Sequence, residues 1–181
     1  MKFFISFLCF SFFVITCFSC SVGSIELSEK ERLSNDMKAK TAEELEKKHG
    51  IQTIGMGGSS YDKIRMLHLS FQIKEPLKKD FARELLVDCV YHLLKNINED
   101  ETIRPFLITY PFTETNVEIA IFSVDCEGAK VYHPFLTIAD IADGKINYCT
   151  KSPENRYQYK TKESETFAEA VEILKRQGKL K

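Results

Sequence analysis

The chain has 181 residues, with 25 Lys and Arg against 26 Asp and Glu, 44% hydrophobic content and 28% charge. These are globular proportions that exclude a disordered chain, and the length suits one domain. A net charge of −1 gives no general basic field for a phosphate backbone, which argues against a nucleic-acid partner.

The first 20 residues differ in kind from the rest, holding seven of the 14 Phe and three of the six Cys. Lys2 precedes an apolar run from Phe3 to Phe18 broken only by Ser6, Ser11 and Thr16. That is the outline of a signal peptide. The run falls short of the roughly 20 residues that span a bilayer, and no basic stop-transfer cluster follows it, so a retained anchor is the weaker reading. Ser19 followed by Cys20 resembles the end of a bacterial lipobox and makes Cys20 the expected lipidation site, although Cys17 and Phe18 depart from the usual residues. Val14 to Cys17 is an alternative lipobox in which Thr16 departs from the pattern. Cleavage before Ser24, with Ser21 and Gly23 as the small residues, leaves a secreted soluble protein instead. Ser21, rather than Asp, after Cys20 resembles the sorting context of outer-membrane lipoproteins. Membrane attachment through an N-terminal lipid, at the bacterial outer membrane or in the periplasm, is therefore expected.

Residues 21–40 are polar and charged, with Ile25, Leu27, Leu33 and Met37 as the sizeable apolar side chains. They read as a polar tether before a single domain over 41–181. Ser28 and Glu31 have capping-box spacing, and Thr41 with Glu44 repeats it, opening a short helix that Gly50 closes. Ile51–Met56 is a weak strand. Leu67, Leu69, Phe71 and Ile73 alternate with polar or smaller residues, as in a half-buried strand. Between them, Gly57, Gly58, Ser59, Ser60, Tyr61 and Asp62 read as a hairpin or mobile loop. Its amides could cradle an anion, but a strand follows rather than a helix, and Lys63 comes too late for a phosphate loop. Gly57, Gly58 and Ser59 are kept as candidate ligand or partner contacts.

Pro76 fits the first turn of a long helix reaching about Asn98. Leu77, Phe81, Leu85, Cys89, Leu93 and Ile97 recur every fourth residue and mark the core-facing stripe. Asp80, Glu84, Asp88 and His92 share the opposite face. Asp88 and His92 are weak metal candidates, since residues four apart are neighbours on a helix, but a tight site needs ligands from another element. A solvated face is the plainer reading. Cys89 and His92 diverge to different faces, so they do not pair as nucleophile and base.

Residues 99–115 hold Pro105 and Pro111 and are irregular. Arg104, Tyr110, Pro111 and Phe112 offer contact area on a stiffened segment, or fold back with Phe106 and Leu107 to plug the end of a sheet. Tyr110 and Phe112 are kept as contact candidates. Together with Gly55 to Ser59, the run Arg104, Pro105 … Tyr110, Pro111, Phe112, Thr113 resembles an uncharacterised family of exported bacterial proteins over about residues 50–150. The resemblance implies export and carries no activity, so no site residues follow from it.

Four strands follow, at 117–124, 135–141, 145–150 and 156–162, joined by turns. A last helix over 166–176 has Thr166 and Glu169 as a capping box and Gly178 as its stop. The domain keeps Cys89, Cys126 and Cys149, an odd number, so one internal disulfide at most can form, with Cys126 and Cys149 as the candidate pair.

The expected fold is α+β: a twisted antiparallel sheet of about six strands packed on a long central helix, with a C-terminal helix. With no convergent catalytic set and no cofactor motif, the expected function is a noncatalytic, lipid-anchored module that binds an envelope or host protein. The alternative is a secreted hydrolase or metal-dependent enzyme using Asp88, His92 and a residue such as Ser59.

Overall fold

The computed structural model describes residues 27–155 and 157–180. The signal segment, Cys20 and the first residues of the expected tether lie outside them. Three helices, α1 (Glu29–His49), α2 (Lys79–Glu99) and α3 (Phe167–Arg176), accompany six strands: β1 (Gln52–Ser60), β2 (Ile64–Ile73), β3 (Val117–Ser123), β4 (Ile138–Ala142), β5 (Lys145–Lys151) and β6 (Tyr159–Thr166). The strands form one sheet in chain order, β1-β2-β3-β4-β5-β6.

The class is α+β, but the sheet is mixed rather than antiparallel. β2 and β3 run parallel, with Leu67 opposite Val117 and Ile73 opposite Ser123, while the other four junctions are antiparallel. The cause is α2, the crossover that a parallel pair requires. Leu85, Leu86, Cys89, Val90, Leu93 and Ile97 of α2 are buried against Leu67, Leu69 and Phe71 of β2 and Val117, Ile119 and Ile121 of β3 in one core. At about 1.5–3 kcal/mol for each large side chain, this face is a major source of stability. α2 starts at Lys79 because Leu77 is held extended, its carbonyl accepting from Leu136 N and its amide donating to Ser123 Oγ. Pro76 therefore precedes the helix instead of opening it.

The tether expectation fails over 29–40, which is the first half of a 21-residue α1. Ser28 and Glu31 do form the capping box, and Gly50 closes the helix at φ 66°. Thr41, expected to start a new helix, is fully buried in mid-helix, where its hydroxyl accepts from Asn96 Nδ2 at 3.0 Å. Met37, Ala42 and Leu45 reach the core, but much of the docking is polar. Glu44 accepts from Asn96 at 2.7 Å and lies 2.8 Å from His92 Nε2. Lys48 and His49 meet Asp88, each at 2.7 Å.

β1 runs on through Gly57, Gly58, Ser59 and Ser60, which were expected to be loop, and the turn is confined to Tyr61–Lys63. A Cβ at Gly58 would lie 2.6 Å from the Met66 carbonyl oxygen, so this strand position requires glycine. The outer edge of β1 is engaged by α1: Thr53 N donates to Glu46 Oε1 at 2.6 Å, and Lys38 Nζ donates to the Gly57 carbonyl at 3.1 Å.

Candidate functional site

All three helices contribute to the single core on one face of the sheet. Strand alternation points the other residues to the opposite face, which no helix covers among the described residues. The register lines up Gly55, Ser70, Ala120, Asp140, Asn147 and Ser164 across this face, with Gly57, His68 and Glu118 in the next row. Because Gly55 and Gly57 bring no side chains, Ser70 and His68 lie open on the β1 side.

Two polar groupings lie on the face. In one, Ser164 Oγ donates to Asn147 Oδ1 at 2.9 Å, and Asn147 Nδ2 donates to Asp140 Oδ2 at 2.9 Å. In the other, His68 Nε2 lies 2.6 Å from Ser70 Oγ, and His68 Nδ1 lies 3.4 Å from Glu118 Oε2. With the ring proton on Nδ1, facing Glu118, Nε2 accepts from the Ser70 hydroxyl. A hydroxyl and a carboxylate on opposite ring nitrogens is the order of a general-base relay. The surroundings do not complete such a site. β2 lies between β1 and β3, so the amides around Ser70 serve the ladder rather than a developing oxyanion.

Toward the carboxyl ends of β2 and β3 the same face becomes apolar. A bulge between Thr53 and Gly55 leaves Ile54 without a partner residue, and Ile54 joins Gln72, Phe122, Ile138 and Tyr159 around a depression of about 280 Å³. Ile54, Phe122 and Tyr159 are 50%, 37% and 48% exposed. Lys130 and Lys151 complete the rim, with the Lys151 ammonium 5.4 Å from the centre of the Tyr159 ring.

The residues singled out from the sequence do not converge. Gly57, Gly58 and Ser59 line a groove against α1, not a free loop. Asp88 and His92 are partnered separately with α1 side chains rather than with each other. Burial pushes the Asp88 carboxyl up, but hydrogen bonds from Lys48 and His49 outweigh it and hold the group below the usual carboxylate range. Among the described residues no cluster of three or more His, Cys, Asp or Glu could hold a metal ion.

Tyr110 and Phe112 also part. Phe112 is buried, and Asn98 bonds both its amide, at 2.8 Å, and its carbonyl, at 2.9 Å, so it plugs the core and offers no contact surface. Tyr110 is half exposed, with the Arg104 guanidinium 4.4 Å from its ring centre and its hydroxyl donating to Asn98 O at 3.2 Å.

Cys89, Cys126 and Cys149 are free thiols, so the expected pair is not formed. β4 separates the turn beyond β3, where Cys126 is exposed, from β5, where Cys149 is buried. Burial pushes the Cys89 thiol far up, as suits an inert core residue.

No protein-family model, curated protein or solved structure matches the chain. None of the helices among the described residues is long and apolar enough to cross a membrane.

Proposed function

We propose that this chain is an exported envelope protein, lipid-anchored at Cys20, that acts as a noncatalytic binding module through the open face of its sheet. The signal-like first 20 residues and the Ser19–Cys20 junction support the address. The observation that carries the binding role is the cluster of Ile54, Phe122 and Tyr159 on that face. A sheet with one face packed ordinarily presents polar side chains on the other, so clustered large apolar residues there suit contact with a ligand or partner.

Two measurements test the reading in bacteria. Radiolabelled palmitate is expected to enter the wild-type chain and not Cys20→Ala; an unlabelled wild type ends the lipid-anchor reading. A photoreactive residue at position 122 is expected to crosslink to an envelope component, whereas one at position 172, on exposed α3 surface, does not. Equal capture at both positions removes the open face from the proposal.

The relay of Ser70, His68 and Glu118 favours a second reading, a hydrolase whose nucleophile is Ser70 rather than Ser59. A fluorophosphonate probe that labels wild type and His92→Ala alike but spares Ser70→Ala and His68→Ala establishes it. An unlabelled wild type rejects it.

A further inference from the structure

The charge around the apolar depression narrows what it can hold, provided that the open face is a binding surface as proposed above. Its apolar lining is Ile54, Phe122, Ile138 and the Tyr159 ring. Two lysines and no acidic residue line it. Neither Lys130 nor Lys151 has a carboxylate within salt-bridge distance among the described residues, so the positive charge of both is left uncompensated at the depression. Among the described residues the Lys151 ammonium lies over the Tyr159 ring, and a cation over a ring still attracts an anion.

A volume of about 280 Å³ lies just below the roughly 300–1,000 Å³ of drug-sized sites, so a small ligand matches it in size. The bulge at Ile54 strengthens the point. It leaves Ile54 without a cross-strand partner residue, and its side chain adds an aliphatic surface beside Gln72 and Phe122.

We propose that the depression binds a medium-chain carboxylate, with its tail on Ile54, Phe122 and Ile138 and its carboxylate met by Lys130 and Lys151. Burial of the tail supplies most of the affinity, because exposed ion pairs are individually weak, and the lysines supply the preference for an acid over a neutral or cationic amphiphile. A cation is disfavoured on both counts, since it meets like charge and finds no carboxylate.

The test uses the full chain in phosphatidylcholine nanodiscs and a diazirine-bearing octanoate, with the matching octanol and octylamine as controls. Crosslinks are expected on peptides containing Ile54, Phe122 or Tyr159, competed by unlabelled octanoate. The neutral probe is expected to label less and the amine least. Lys130→Ala combined with Lys151→Ala should weaken competition by octanoate about tenfold, from two exposed charge contacts. Phe122→Ser should abolish labelling at the site; both lysines and Phe122 are surface positions, and an unchanged circular dichroism spectrum serves as the folding control.

Labelling spread evenly over the chain, equal labelling by all three probes, or indifference to the double lysine variant overturns the proposal. So do crosslinks from a photoreactive residue at position 122 to residues 1–26 or to a second copy, because each names a different occupant. If octanoate fails while position 122 still captures an envelope component, only the ligand class falls. If both fail, the binding role of this face falls with it.

Discussion

Among the described residues Arg83 is the most deeply buried charge, at 5% exposure. Its Nε donates to Glu165 Oε1 at 2.6 Å and its Nη1 to Asp80 Oδ1 at 2.6 Å, while Tyr148 OH also donates to Glu165 Oε1. Hydrogen bonds donated to Glu165 raise the Arg83 guanidinium further, and burial followed by the bond to Glu165 raises the Tyr148 phenol, so both keep their protons at any physiological pH. Removing one partner strands the other: Glu165→Ala is expected to cost about 2–4 kcal/mol in urea unfolding, below the full cost of breaking a buried pair because Asp80 remains. Asp80→Ala, whose carboxylate is largely exposed, is expected to change stability by under about 1 kcal/mol. Equal losses in the two variants would show that Glu165 is no special anchor. Gly58 poses a steric counterpart. Gly58→Ala drives a Cβ into the Met66 carbonyl and should cost about 1–3 kcal/mol, whereas Gly57→Ala, with no atom nearer than 3.8 Å, should be tolerated. A thermal shift of the same size for both would refute the close-approach argument.

At the scale of elements, α1 and α2 are joined by polar and charged side chains. The Asp88 carboxyl is held low in the folded state, so its contribution is present above the ordinary carboxylate range and fades as pH falls through the lowered folded value. Stability should therefore drop on acidification, and Asp88→Asn should flatten the dependence of the urea midpoint on pH below about 5. An unchanged slope would remove Asp88 from the acid response. α1 has a second task, engaging backbone groups on the outer edge of β1 through Glu46 and Lys38. Edge strands with free amides and carbonyls invite pairing with other chains. Lys38→Ala with Glu46→Ala is expected to promote self-association, read as larger species in sedimentation at unchanged secondary structure.

The whole molecule depends on α1 belonging to the domain. Met37, at 4% exposure, and the Lys38 contact to β1 come from residues that composition assigns to a tether. A chain beginning at residue 41 is therefore expected to be less stable than one beginning at residue 27 by at least the roughly 1.5–3 kcal/mol of one large buried side chain. Equal melting temperatures would restore the tether. Much of the architecture is legible in the amino-acid sequence. The alternation of β2, the four-residue repeat of α2 and the Thr166–Glu169 cap of α3 each announce a periodic element that buries one face. The unity of α1 was hidden because hydropathy sees Met37, Ala42 and Leu45 but not the polar bonds to Asp88, Asn96 and His92. Parallel pairing was hidden because alternation carries no direction. The open face was illegible for a further reason: Ile54, Phe122 and Tyr159 lie on three strands far apart in the chain, and a bulge brings in the first of them.

The β2–α2–β3 crossover has a consequence for synthesis and transport. All six strands pair in chain order, but the β3-facing side of β2 must wait until α2 and the Pro105–Pro111 segment have followed it. Long-range pairings are the slow ones, since the loop must close before the contact repays it. On the proposed export route, a chain threaded N-terminus first would emerge with its opening hairpin paired on one side and the other edge of β2 bare, and that interval is when a holding chaperone would matter most.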